Sequence, residues 1–367
     1  MARQICRWGI MGTAAISRKN WEGIWNSGNG IVQAVASRSP EKAKTYIHEL
    51  QQVVPFAATP AACSYEELLQ RSDLDAVYIP LPTGLREAWI IKAAQAGKHV
   101  LSEKPCTLSA AALREILAIC REHSVQFMDG VMFMHSARLP AIRAVLDSDH
   151  GIGSIRRMNS HFSFLGDQTF LNHNIRSDAR LEPFGCLGDL GWYCIRLFQW
   201  GMSNQLPSQV SCQILNATDR DDGEGVPLEA TAELRYPGNV TGGFYCSFTA
   251  DQQQTATITG TAGVLSMDDF VLPAFGAEAG FRVVKNDFQI SGPKFNMVSR
   301  ERRVTVPEFS NNHPTSQETN LFRNFAQLVN RGEPDHSWGD VALKTQIVLE
   351  ACMESGRNGG QPVTLPN

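Results

Sequence analysis

The stretch ICRWGIMGTAAIS, residues 5–17, joins an apolar run of strand length to a glycine turn and a helix-forming segment. Aligned from Gly12, it reads G-x-A-x-x-S, with Ala14 and Ser17 where a dinucleotide-binding fingerprint usually carries glycines. A turn of this kind lets backbone N–H groups and the helix N-terminus meet a pyrophosphate. The pattern alone is weak, because a glycine turn after a first strand also occurs without a phosphate ligand.

Downstream of this turn, apolar runs of strand length alternate with helical stretches as far as residue 130. Ser39 and Pro40 form an N-cap with proline at the first helical position, and Ser64 with Glu67 forms a capping box. The strand-length runs are IVQAVAS (31–37), LDAVYIPL (74–81), HVLS (99–102) and VQFMDGVMF (125–133). This alternation predicts a parallel sheet with right-handed crossovers, covered on both faces. We therefore expect a Rossmann-type dinucleotide-binding domain over residues 1–130.

Residues 131–367 have a different pattern. The candidate strands are 155–166, 208–215, 229–236, 239–248, 255–261 and 263–269, and the candidate helices are 139–149, 188–200, 321–332 and 341–355. Tyr236-Pro237-Gly238-Asn239 is a strong hairpin turn. Consecutive strand candidates of this kind favour an antiparallel sheet with helices on one face. The predicted fold class is α/β, with a C-terminal α/β domain on a large, open, mostly antiparallel sheet. The last helices can pack back on the first domain.

Composition excludes several classes of protein. The formal net charge is −4, so nothing indicates nucleic acid or an anionic membrane surface as partner. No apolar run approaches the roughly 20 residues that span a bilayer, and the first residues lack the pattern of a signal peptide. The nine cysteines form no C-x-x-C pair, and the nine histidines show no metal-binding spacing. We expect a cytoplasmic protein with reduced thiols and no metal site.

The end of the second predicted strand bears on the choice of nucleotide. NAD-binding folds usually carry an acid here for the ribose hydroxyls, whereas this chain reads Ala36-Ser37-Arg38-Ser39. An arginine and hydroxyls suit a 2′-phosphate, which a carboxylate would repel. The alternative is an ordinary surface arginine. We predict NADP as cofactor, with NAD as the alternative.

The segment VLSEKPCTLS, residues 100–109, places Lys104 where an apolar strand ends. In open α/β sheets ligands bind outside the carboxyl ends of the strands, and Pro105 biases Lys104 towards extended backbone geometry. A lysine beside the nicotinamide could bind the substrate oxygen and lower the pKa of a neighbouring acid. Glu103 fits an ion-pair partner better than a proton shuttle. The alternative is an exposed charged loop.

The second half of the chain contains GCLGDLGWYCIRLF, residues 185–198, in which Asp189 and Tyr193 are four residues apart. On an α-helix they share one face, about 40° apart. Gly188 and Gly191 leave room for a bulky ligand or a backbone. The alternative is that Tyr193 faces the core and Asp189 charges the start of the helix.

Together, these features resemble the Gfo/Idh/MocA oxidoreductase family over essentially the whole chain. The stretches VYIPLPTGL, AGKHVLSEKP, FSFLGD and GDLGWYCIR are most similar to its dimeric dihydrodiol dehydrogenase and NADP-dependent xylose dehydrogenase branch. The resemblance implies a catalytic lysine at Lys104, a helical pair at Asp189 and Tyr193, and a homodimer or higher homo-oligomer through the C-terminal sheet. Together with the residue patterns above, the resemblance predicts the cofactor contacts, which are Gly9, Gly12, Thr13, Ala14, Ser37, Arg38, Pro80, Thr83 and Glu103.

The chain departs from the family pattern in three places. Relatives often carry a histidine after the fourth strand, in a segment like P-N-S-L-H, where this chain has Thr83 and Arg86. Arg196 stands where inositol dehydrogenases carry an aspartate, which argues against copying their polyol contacts. The third departure is the incomplete glycine fingerprint.

The predicted reaction moves a hydride between the nicotinamide and a secondary alcohol or carbonyl of a small cyclic diol, sugar or polyol. Tyr193, its pKa lowered by a nearby Lys104, takes the hydroxyl proton, and Asp189 orients Lys104 or binds another hydroxyl. The expected substrate contacts are Phe133, His135, Asn174 and Arg176. Two other classes stay open: a cofactor-binding sensor without turnover, and an NAD-dependent hydrolase or isomerase that uses hydride transfer transiently.

Overall fold

A computed structural model of the 367-residue chain describes residues 5–173, 178–218 and 225–366. The chain divides into two compact units. The first comprises Met1–His135, Asp178–Pro183 and Asn311–Ile347, and the second comprises Ser136–Ser177, Phe184–Ser310 and Val348–Asn367. In the described residues, no helix combines the length and the apolar character that crossing a membrane requires.

The first unit contains a six-stranded parallel sheet in the order β3-β2-β1-β4-β5-β6. Its strands are β1 (Cys6–Met11), β2 (Gly30–Ala36), β3 (Ala61–Cys63), β4 (Ala76–Ile79), β5 (His99–Ser102) and β6 (Phe127–Asp129). The connecting helices are α1 (Ala15–Ser27), α2 (Pro40–Val53), α3 (Tyr65–Gln70), α4 (Thr83–Gln95) and α5 (Ala110–Glu122). The strand order reverses between β1 and β4, which is where doubly wound sheets bind their ligands.

A helix from the C-terminal part of the chain completes the core of this unit. Trp8 of β1 is fully buried, and its ring packs against Phe322 and Phe325 with centroid distances of 5.4 and 5.0 Å. Both phenylalanines belong to α9 (Gln317–Arg331), which also packs on α1. Aromatic pairs of this kind contribute beyond their buried area.

The second unit contains a nine-stranded sheet in the order β14-β13-β12-β11-β7-β10-β9-β8-β15. The strands are β7 (Ile155–Leu165), β8 (Gln209–Ala217), β9 (Pro227–Tyr236), β10 (Val240–Ser247), β11 (Thr249–Gly260), β12 (Val264–Met267), β13 (Glu278–Ser291), β14 (Lys294–Pro307) and β15 (Val363–Thr364). The helices are α6 (Arg138–Leu146), α7 (Gln168–His173) and α8 (Trp192–Gly201), and α10 (Ser337–Arg357) begins in the first unit and ends in the second. β7 and β10 pair in parallel, while the other strand pairs of this sheet are antiparallel.

The predicted fold class is confirmed, with two local corrections. The expected strand over 125–133 is shorter, because β6 ends at Asp129 and Met132–His135 form a 3-10 turn. The expected regular α-helix over 188–200 instead begins with a π-turn, Leu187–Gly191, before α8. Two glycines in this turn lower its preference for regular α-helix geometry.

Candidate active site

The turn after β1 places a glycine at the switch point of the parallel sheet. Gly12 has φ +124°, and a Cβ there would lie 3.2 Å from Cδ2 of Leu81 and 3.9 Å from Cγ of Pro80. Ala14, the N-cap residue of α1, offers no side-chain acceptor to the first helical turn. The first two N–H groups of that turn are therefore donors of the kind that a pyrophosphate accepts, while the third donates to the Ala14 carbonyl at 3.0 Å. Thr13 is half-buried beside them.

Ser17 and Gly9 have structural explanations of their own. The buried Ser17 hydroxyl donates to the carbonyl of Ala14 at 2.6 Å and accepts from the Tyr46 hydroxyl at 2.9 Å, so it links α1 to α2. A Cβ on Gly9 would lie 2.9 Å from Cδ1 of Leu74. Gly9 is thus small because side chains pack against it, and its predicted contact with a cofactor stays a prediction.

The end of β2 carries the residues predicted to contact a 2′-phosphate, and that contact stays a prediction. Ser37 is buried, its N–H donates to the Cys63 carbonyl at 3.1 Å, and its hydroxyl accepts from the N–H of Ser39 at 3.4 Å. Arg38 is exposed. Burial raises the pKa of the Tyr65 phenol, and the positive charge of Arg38 acts in the opposite direction.

Glu103, which directly follows β5, is hydrogen-bonded to the interior of the first unit. Its Oε1 accepts a hydrogen bond from the Tyr78 hydroxyl at 2.7 Å, and that hydroxyl accepts one from Nδ2 of Asn20 at 2.6 Å. Burial, followed by the charge of Glu103, raises the pKa of Tyr78 well above its ordinary value, so Tyr78 stays a donor. A Cβ on Gly130 would lie 3.2 Å from Glu103 Oε1. The chain Asn20–Tyr78–Glu103 therefore orients the carboxylate that precedes Lys104.

Lys104 directly follows Glu103 at the carboxyl edge of the parallel sheet. It is half-buried, its N–H lies 3.4 Å from Oε2 of Glu103, and its peptide bond to Pro105 is cis. The position agrees with the expected edge of an open α/β sheet, where ligands bind.

Thr83 and Arg86, at the start of α4, form a buried network with a distant carboxylate. Glu182 accepts from the Thr83 N–H at 3.0 Å and from its hydroxyl at 2.6 Å. Arg86 donates to the Leu81 carbonyl at 2.5 Å, to Thr83 Oγ1 at 3.0 Å and to the Pro105 carbonyl. The Thr83 hydroxyl is thus engaged within the protein, and its contact with a cofactor stays a prediction.

In the second unit, Asp189 lies on the π-turn and Tyr193 on the first turn of α8. Asp189 is half-buried, whereas Tyr193 is 7% exposed and meets the Phe162 ring edge-on at 5.6 Å. A Cβ on Gly191 would touch Phe244 at 3.4 Å, so a small residue suits the packing against β10. π-turns are frequent at functional sites, and here the π-turn and the start of α8 hold the two predicted residues on one continuous helical segment.

Of the four predicted substrate residues, two are buried and two lie outside the described residues. Phe133 is 2% and His135 is 6% exposed. The imidazole of His135 stacks on Trp338 at 4.9 Å, and its Nδ1 lies 3.0 Å from Nδ2 of Asn324. His135 is therefore engaged within the first unit and Phe133 is buried, so a substrate role for either residue stays a prediction. Asn174 and Arg176 lie outside the described residues.

Three residues of this site were not predicted. Asn20, Tyr78 and Glu182 join it through contacts that span 58, 25 and 99 residues of sequence. The one local signal is the phenol of Tyr78 within an otherwise apolar strand, since a buried tyrosine hydroxyl needs a partner. Within the described residues, no group of three or more His, Cys, Asp or Glu is placed to hold a metal ion.

A doubly wound parallel sheet with a glycine turn at its switch point defines the first unit as a dinucleotide-binding domain. Residues 6–131 match the model of the oxidoreductase family with an NAD-binding Rossmann fold, and residues 141–266 match the GFO/IDH/MocA C-terminal domain. The chain belongs to the Gfo/Idh/MocA oxidoreductase family, and it is an enzyme of the dehydrogenase and reductase class.

Individual relatives agree with this assignment. A dTDP-3,4-didehydro-2,6-dideoxy-α-D-glucose 3-reductase of Streptomyces violaceoruber is 32% identical over 69% of this chain and 70% of its own. A trans-1,2-dihydrobenzene-1,2-diol dehydrogenase of Bos taurus is 30% identical over 72% of this chain and 74% of its own. The 3-ketoreductase KijD10 of Actinomadura kijaniata, solved with NADP and TDP-benzene, superposes with a TM-score of 0.80 at 25% identity, covering 96% of this chain and 98% of its own.

Proposed function

We propose that the protein is an NADP-dependent oxidoreductase that interconverts a secondary alcohol and a carbonyl on a small cyclic diol, sugar or polyol. The observation that carries the proposal is Lys104 at the carboxyl end of β5, in a sheet whose switch point holds the Gly12 turn. The named relatives act on a deoxyhexose nucleotide and on a cyclic diol, which supports a ring-shaped polyhydroxy substrate.

NADP fits the residues present. An exposed Arg38 follows β2, and Ala36, Ser37 and Ser39 beside it include no carboxylate. The Gly12 turn and the uncapped first turn of α1 suit the pyrophosphate. KijD10, solved with NADP, supports the same choice. When bound, NADP supplies the hydride acceptor for oxidation and the donor for reduction.

The side chains of the protein move the proton, stabilise the developing charge and hold the substrate. Tyr193 takes the proton of the substrate hydroxyl in oxidation and returns it in reduction. Lys104 stabilises the negative charge that develops on the same oxygen. Asp189, four residues before Tyr193, binds a second hydroxyl of the substrate or orients the lysine. Glu103, fixed by Tyr78, contacts the nucleotide end of the site.

The first experiment measures thermal unfolding of the full chain with NADP, NAD or neither. A nucleotide present at 100 times its dissociation constant stabilises the folded state by about 2.7 kcal/mol. For a unit of this size, that corresponds to roughly 5–10 °C in melting temperature. We expect a larger shift with NADP than with NAD, and Arg38→Ala should narrow the difference. If neither nucleotide shifts the transition, the assignment of a bound cofactor is wrong.

The second experiment measures NADP reduction with D-xylose, D-glucose and trans-1,2-dihydrobenzene-1,2-diol as substrates. Absorbance at the reduced nicotinamide band should rise with at least one of them. Binding of NADP without turnover across a wide set of sugars and diols would favour a sensor. Loss of substrate without a net change in absorbance would favour an isomerase or hydrolase with transient hydride transfer.

A further inference from the structure

A buried polar cluster surrounds the carbonyl oxygen of Pro105, the residue after Lys104. Arg86 is 4% exposed and donates from Nη1 to this oxygen, and Thr83 Oγ1 lies 3.5 Å from it. On the N-terminal side of Lys104, the backbone N–H of the lysine lies 3.4 Å from Oε2 of Glu103. The backbone on both sides of Lys104 is therefore held by side chains.

Glu182 completes the cluster from a separate segment of the chain. Residues 178–183 pack with the first unit, and the Leu181 carbonyl accepts from the Gly84 N–H at 3.0 Å. The Glu182 carboxylate lies 3.8 Å from Nη2 of Arg86, and the two side chains are 13% and 5% exposed. A buried guanidinium needs a counter-charge and full hydrogen bonding to be tolerated. Glu182 supplies that charge.

We propose that Arg86 and Glu182 are positioning residues for Lys104. Arg86 fixes the carbonyl that follows the lysine, and Glu182 keeps Arg86 in the orientation that reaches it. With its backbone fixed, the lysine has fewer directions open to its ammonium group, which is the preorganisation that a charge-stabilising group needs. The inference rests on the proposed catalytic role of Lys104.

Hydrogen exchange on the full chain without nucleotide tests the backbone part. In Arg86→Lys and Glu182→Gln, the peptide over residues 99–108 should exchange faster than in the parent, while peptides from β9 and β10 stay unchanged. The matched control is Arg121→Met, which removes an exposed ion pair with Asp340 in the same unit. Unchanged exchange over 99–108, or equal acceleration throughout the first unit, would overturn the proposal.

A double-mutant cycle tests the catalytic part, using NADP and whichever of the three probe substrates turns over. Arg86→Lys should lower kcat about tenfold or more, because misplacement by about 1 Å can reduce rates up to 100-fold, with KM for NADP unchanged. In a Lys104→Met background it should cause no further loss. If the losses of kcat in the two single variants multiply in the double variant, Arg86 does not act through Lys104. That result would overturn the positioning role and leave the proposed function intact. If Lys104→Met keeps the parental kcat, the catalytic role of Lys104 fails and the positioning proposal fails with it, while the oxidoreductase activity stands. Glu182→Gln repeats the cycle if Arg86→Lys does not fold.

Discussion

Gly84→Ala tests the contact between residues 178–183 and the start of α4. A Cβ on Gly84 would lie 2.3 Å from the carbonyl oxygen of Arg180, whereas ordinary contact begins at 3.4 Å. The obstructing atom is backbone, so no side-chain rotation can relieve the overlap. The segment must therefore move by about 1 Å, which carries the 3.0 Å hydrogen bond from the Gly84 N–H to the Leu181 carbonyl out of range.

The magnitude follows from three contributions. Overpacking of this kind destabilises by about 1–3 kcal/mol, and a lost hydrogen bond adds about 0.5–1.5 kcal/mol. Alanine is favoured over glycine by up to about 1 kcal/mol in a helix interior, and by less at the second residue of α4. We expect a net loss of about 2 kcal/mol in the free energy of unfolding.

Urea unfolding followed by tryptophan fluorescence measures this loss, since Trp89 lies on the same helix. The midpoint should fall while the slope with urea stays constant. Gly276→Ala is the control, because the nearest atom to its Cβ would be 3.9 Å away and its φ is not positive. If Gly84→Ala unfolds at the parental urea concentration or above, residues 178–183 do not approach α4 as described.

Four further outcomes are expected. Tyr193→Phe should lower kcat by about 10²–10⁴-fold while the thermal shift with NADP survives; near-parental turnover would remove Tyr193 from the proton step. Tyr78→Phe should destabilise the fold by about 1–3 kcal/mol, because a buried amide and a carboxylate lose a partner, and should weaken NADP binding measured by titration calorimetry. Burial acts to raise the pKa of Asp75, but hydrogen bonds from Arg7 outweigh it and lower that pKa. The ion pair therefore stabilises the fold above about pH 4, and this stability is lost as pH falls through the lowered folded pKa. With urea midpoints measured from pH 2 to 7, the fall of the midpoint towards acid pH should therefore be smaller in Asp75→Asn than in the parent. Phe295, 64% exposed on β14, should lie at the predicted homo-oligomer contact, so Phe295→Glu should shift mass measured by light scattering towards the monomer; an unchanged mass would place the contact elsewhere.

Much of the fold was predictable because burial imposes a period on the sequence. β1 and β4 are almost fully buried and read as continuous apolar runs, as parallel strands do. β9 alternates cleanly between buried and exposed residues, and it was predicted within two residues. The long hairpin of β13 and β14 was missed, because most of β14 is exposed and carries charged residues. β14 is the edge strand and pairs with β13, and its exposed residues leave no apolar period to read.

The positions of the candidate site residues were predictable where these residues lie at the end of a strand or on a helix. Lys104 follows a strand, and Asp189 and Tyr193 share one helical segment, as expected from the sequence, whereas their catalytic roles rest on the family resemblance and stay predictions. Tyr78 and Glu182 could not be found in this way. Their partners are distant in sequence, and a single acid or phenol carries no local pattern that names its partner.

Arg86 shows how a departure from the family pattern can have a physical reason. It stands where relatives often carry a histidine, and an imidazole has at most two N–H donors. Arg86 instead donates to Leu81, Thr83 and Pro105 and faces the carboxylate of Glu182. Only the five N–H donors of a guanidinium can serve these acceptors together. Arginine here is therefore matched to a set of acceptors that a histidine could not satisfy, and Glu182 is the residue whose charge makes its burial tolerable.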